Sequence, residues 1–263
     1  MRPYLYIAKI KILSVLSYRF DVISSVIIQG LIVIATSFFW MAVYGDRQSA
    51  LGVTKDQMLT YTIISALLAC IFTANVEERV IQSVRKGSVA LDMLKPVSVF
   101  GMYLAEDIGA IVIAFCQNAV PLLLISSLLI QVPAPSSGVN FLLFLLSAAL
   151  SFLINWLVTA CFSMLSFVVI SMNPLRQIKN VLIRILSGSI IPLWFFPQSL
   201  QNVLGFLPFI YIYQLPLSIY IGKLGFQDIL MQMGLQLAWL LALYVIFRMI
   251  QKKVFSNVLI QGG

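Results

Sequence analysis

The densest chemistry in the chain lies between Glu77 and Pro96, where Glu77, Glu78, Arg79, Arg85, Lys86, Asp92 and Lys95 follow one another closely. Charges of both signs at this spacing can pair with each other or grip a partner surface. They have no general base beside them, because the chain contains no histidine. That excludes histidine-based triads and histidine-liganded zinc. Cys70, Cys116 and Cys161 lie far apart inside apolar runs and read as small buried hydrophobes, neither disulfides nor metal ligands. No G-x-x-x-x-G-K-[ST] motif is present, so the chain does not cradle ATP by that route. Gln29, Gln117, Asn118 and Asn155 interrupt the apolar runs. Interhelical hydrogen bonding is their ordinary use; the functional alternative is that Gln117, Asn118 and Asn155 line a path between helices.

The elements that must position these residues are membrane spans. Of 263 residues, 61% are hydrophobic and 10% charged, with a mean hydropathy of +1.01, against roughly 25% charged in soluble domains. The composition and the long apolar runs predict an all-α integral membrane protein, one transmembrane domain over 1–263. Residues 1–20 read as an uncleaved interfacial helix, with Arg2, Lys9, Lys11 and Arg19 snorkelling to headgroups. Six spans are expected: Asp21–Tyr44, Met58–Val76, Ile108–Ile130, Asn140–Ile170, one from Ile178, and Asp228–Met249. Glu106 and Asp107 are expected at the entry of the third, with no carboxylate in the middle of any span. Gln131–Val139 reads as a turn-forming loop.

Of seventeen Lys and Arg residues, only Arg47, Lys55 and Lys223 fall on one side of this layout, and fourteen fall on the other. The asymmetry predicts both termini inside, which places 77–100 in the cytoplasm. Within it Val76, Val80, Ile81 and Val84 recur at helical spacing. Gly87 can end that helix, Ser88 can cap a second one, and Pro96 stops it. The segment 192–222 is too rich in proline for one helix and too apolar for a solvated loop. It reads as short re-entrant helices near the outer leaflet, with Trp194, Tyr211, Tyr213 and Tyr220 in an aromatic belt and Trp40 and Tyr44 anchoring the first span. Arg184 either snorkels or pairs with Glu106 or Asp107.

Arg85-Lys86-Gly87-Ser88 followed by Leu94-Lys95-Pro96 resembles the cytoplasmic loop of type-2 ATP-binding-cassette exporter permeases. Ser187-Gly188-x-x-x-Pro192, Phe196-Pro197 and Leu207-Pro208-Phe209 are similar to that family's pattern before its last span. With the six-span layout, the resemblance covers nearly the whole chain and points to the small separate-chain subgroup. It implies docking on a separate ATPase subunit through Val84, Arg85, Lys86, Gly87, Val89, Leu91 and Leu94. It implies a re-entrant motif at Gly188, Pro192, Pro197 and Pro208, and pairing with a second permease chain. No cofactor is expected in this chain; the resemblance puts ATP and Mg on the partner. The expected location is a bacterial cytoplasmic membrane, with lipid but no nucleic acid as a partner. The substrate stays open. An ion-coupled transporter or channel is the alternative, but only one broken region is evident where inverted repeats would show two.

Overall fold

The computed structural model describes residues 4–9, 19–94, 96–129, 137–169 and 171–261. Residues 4–9 are helical (α1); the rest of the expected interfacial helix and most of the 131–139 loop lie outside the described residues. The other helices are α2 Arg19–Tyr44, α3 Lys55–Ile71, α4 Val76–Arg85, α5 Val89–Met93, α6 Val99–Ala114, α7 Val120–Leu129, α8 Gly138–Ser163, α9 Asn173–Leu186, α10 Gln198–Gly205, α11 Gln214–Tyr220 and α12 Phe226–Gln261. Among the described residues, five stretches are long and apolar enough to cross a membrane: Ile23–Tyr44, Lys55–Arg85, Val99–Ser126, Gly138–Phe167 and Phe226–Ser256.

α3 is the axis of the bundle. It is buried from Met58 to Cys70 on nearly every face, which an apolar sequence without periodic polarity permits. A two-residue turn precedes it: Ser49–Ala50 pairs antiparallel with Val53–Thr54 around Leu51 and Gly52, both at positive φ. Thr54 and Gln57 then form a reciprocal cap. This hairpin marks one end of the bundle; the ionic groups of α4 mark the other.

Several expectations need correction. The third long helix begins at Val99, not Ile108, so Glu106 and Asp107 lie inside it, and Asp107 is fully buried. The fold tolerates this because Arg79 reaches both carboxylates. The same helix passes through a π turn, Phe115–Ala119. Pro121 supplies the reason, since it has no N–H for the Gln117 carbonyl and its ring crowds that group. Cys116 faces outward from this turn, Cys70 is buried and Cys161 is half-buried. The last helix runs on to Gln261, and its Phe247 and Phe255 pack on Phe100. The aromatic residues expected in the belt turn toward other rings, with Trp40, Tyr44, Tyr211, Tyr213 and Tyr220 buried and Trp194 half-buried. Trp40 meets Phe195, Trp194 meets Tyr61, Tyr213 meets Phe72 and Tyr220 meets Phe144. Ring–ring burial between helices holds them better than a surface position would.

The expected fifth span is two pieces. α9 has 14 residues and α11 has 7. Between them the chain makes an excursion through α10 and returns, and the Gln214 N–H donates to the Ser187 carbonyl at 2.9 Å. The start of α11 therefore continues the end of α9. Gly188 sits in this joint at φ +78°, and a Cβ there would lie 2.5 Å from Gln214 Oε1. From the joint α11 climbs along α8 to Ile221, whose carbonyl accepts from Gln57 near the hairpin end.

Candidate functional site

Three consecutive residues of α4 tie the charged end together. Lys179 of α9 donates to Glu77, and both side chains are nearly inaccessible. Arg176, one turn earlier on α9, pairs with Glu78 in a more open position. Arg79 turns the other way: its Nε lies 3.1 Å from Glu106 Oε2, one terminal nitrogen lies 3.4 Å from Asp107 Oδ1, and the other donates to the Tyr103 carbonyl at 3.1 Å. Asp107 also accepts from Trp156 Nε1 at 3.0 Å and from the Asn75 N–H at 3.2 Å. Successive residues on a helix point about 100° apart, so 77–79 can grip flanking helices on two sides. The pairing of Arg184 with Glu106 or Asp107 is thereby corrected: Arg79, on the neighbouring α4, occupies both.

The same neighbourhood satisfies the backbone groups freed by the break between α3 and α4. The free carbonyl of Phe72 accepts from Asn155 Nδ2 at 3.2 Å, and the Asn75 N–H finds Asp107. Asn155 thus bonds between helices, and it also lines a polar cavity of about 500 Å³ with Asn75, Glu77, Asn180, Arg184 and Tyr213. Gln117 and Asn118 lie elsewhere, in the π turn, half-buried. The structure does not bring the three amides together. A second cleft of about 640 Å³, between α3, the π turn and α8, is lined by apolar side chains apart from the ring of Tyr220.

α4 presents Val76, Val80 and Ile81 inward, as their spacing predicts, with Val84 half-buried. Gly87 adopts φ +67°, and the Ser88 N–H returns to the Ser83 carbonyl at 3.0 Å, closing the helix. Ser88 does not cap α5 with its side chain; its hydroxyl meets that of Ser83 at 3.0 Å. Asp92 also turns inward, accepting from Ser83 Oγ at 2.9 Å and Tyr103 OH at 3.4 Å. Val89 is buried against Phe100, Phe167 and Phe255. Val89 and Asp92 are therefore anchors of the loop to its own protein. The outward members are Arg85, Lys86, Gly87, Leu91 and Leu94, the two leucines 66% and 81% exposed.

Around Gly188 a second polar cluster forms. Tyr61 OH donates to the Gly188 carbonyl at 2.6 Å and lies 3.0 Å from Gln214 Oε1, which also accepts from the Leu193 N–H. Pro192 and Pro197 stand immediately before the Leu193–Phe195 turn and α10, and buried Pro208 opens the Pro208–Tyr211 turn. Below it Gln236, fully buried on α12, places its amide nitrogen 3.0 Å from the Ser147 carbonyl, Ser151 Oγ and the Tyr211 carbonyl. Gln236, Tyr61 and Gln214 escape a reading by composition. An amide inside the last apolar run, shared with Gln232 one turn earlier, was the available signal for Gln236.

A model of the family described as ABC-2 family transporter protein matches residues 30–262. Comparison with curated proteins and with solved structures finds no match to the chain.

Proposed function

Because the chain belongs to the ABC-2 family of transporter proteins, and is a multi-pass membrane permease, we propose that it forms the translocation path of an exporter driven by a separate ATPase subunit. That subunit binds ATP and Mg; this chain supplies the membrane part and docks on it. Two permease chains make the complete path, in a bacterial cytoplasmic membrane. The chain crosses six times: five long helices, and α9 with α11 as a composite crossing whose excursion, 187–213, is re-entrant from the outer side. Helices of 14 and 7 residues joined end to end reach about 31 Å, the thickness of a bilayer core. The fourteen-to-three distribution of basic residues supports cytoplasmic termini and a cytoplasmic α4–α5.

The observation that carries the reading is the division of α4–α5 into two faces. One face is bonded to α6 and α9. The other offers Leu91 and Leu94 to solvent beside Arg85 and Lys86. Apolar anchors with a charged rim are the anatomy of a docking site. Leu91→Asp and Leu94→Asp are expected to abolish capture of the ATPase and transport while leaving the permease inserted; Arg85→Ala should be milder. Pull-down of the ATPase with a transport assay measures this, and normal binding and transport in both Asp variants would refute the docking role.

A further inference from the structure

α9 has three faces, which is unusual for a helix at membrane depth. Lys179 and Ile183 are packed inside, while Ile178, Val181, Leu182 and Ile185 form an exposed apolar face. Between these, Arg176, Gln177, Asn180 and Arg184 line the polar cavity. Hydrocarbon does not accept such a polar face, so it meets water, protein or a polar occupant.

Two features define the occupant. The first is charge. Arg176 is committed to Glu78 and Lys179 to Glu77. Arg184 makes no ion pair among the described residues, so the cavity wall carries one uncompensated cation. The second is a missing donor. Glu77 lines the cavity with its side chain 4% exposed, and its Oε1 is buried without a hydrogen-bond partner. A buried carboxylate oxygen left unpaired is costly, and a small turn of the carboxylate toward the cavity would let a hydroxyl from an occupant relieve it. The cavity, about 500 Å³, is large enough for a polar head, and the apolar face of α9 beside it suits an alkyl chain.

We propose that this cavity is a subsite for the head of an anionic, hydroxyl-bearing amphiphile, with the acid on Arg184, a hydroxyl directed toward Glu77, and the chain along Val181 and Ile185. The assignment names a cargo class and so rests on the transport reading, but its test does not. Binding is measured on the full-length chain in phosphatidylcholine nanodiscs, with fluorescent lysophosphatidylglycerol as the probe. Unlabelled lysophosphatidylglycerol should compete at least about tenfold better than lysophosphatidylcholine, the scale of one charge-assisted hydrogen bond. It should also compete better than glycerol 3-phosphate, which carries a phosphate and hydroxyls but no chain. Arg184→Gln should remove the preference and Arg184→Lys should keep it; Arg184 is exposed, so neither should alter the unfolding temperature. Equal competition by the choline lipid, or an undiminished preference in Arg184→Gln, overturns the subsite. Equal competition by glycerol 3-phosphate overturns the amphiphile. Failure of the ATPase pull-down leaves these outcomes untouched.

Discussion

α9 is held at its start by ionic charges and at its end by neutral hydrogen bonds. At the start, Glu77 and Lys179 form a pair almost cut off from solvent, with Glu78 and Arg176 beside them. At the end, Ser187, Gly188, Tyr61 and Gln214 share hydrogen bonds of 2.6–3.0 Å, and Ser65 donates to the Ser189 carbonyl at 2.7 Å. Each neutral bond is worth about 1 kcal/mol net and can re-form after a small shift. Parting a buried ion pair instead exposes two unmatched charges. The contrast teaches that α9 should follow α4 as one body, and that yielding should occur at Gly188. A push on the exposed side of α4–α5 would then reach α9 through Glu77 and Lys179.

The strongest way to break this comparison is at the buried pair. Lys179→Met leaves Glu77 uncompensated and should lower stability by about 3–5 kcal/mol, whereas the double variant with Glu77→Gln should recover much of it. Thermal unfolding in mild detergent measures both; a single-variant loss no larger than that of a neutral bond would erase the distinction. The joint comes next. Gly188→Val places a branched side chain at positive φ against Gln214, for a cost of about 1–3 kcal/mol. Hydrogen exchange should show loss of protection in α11 with α4 unchanged; loss spread equally over both would mean that the two ends are not independent. The smallest effect sharpens the contrast within the charged end. Arg176→Gln removes a half-exposed pair and should cost at most about 1 kcal/mol. A cost matching that of Lys179→Met would show that charge, not burial, sets the strength.

The helical class and most long helices were legible because hydropathy sums over a window of neighbours. So was the turn at Gly87, where a helix ends and only glycine takes positive φ cheaply. The break near Gly188 was legible too, but the return of the chain to it was not. Nothing local says that residue 214 comes back to residue 187. The third long helix starts at Val99 and not at Ile108, because Glu106 and Asp107 look like a boundary until Arg79 is known to neutralise them. The same holds in α5, where Val89 and Leu91 are equivalent as sequence and opposite in exposure.

By itself the sequence determined that the chain must sit in a membrane as helices. Too few charges and too many long apolar runs leave no other way to satisfy the backbone. It also determined where helices had to end, through Gly87, Gly188 and the prolines after it. Only the tertiary structure decided which charge meets which. Glu77 and Lys179 stand 102 residues apart, and a buried charge demands a partner without specifying one. Packing of α4 beside α9 makes that choice, because helices in contact bring together side chains that no local pattern relates.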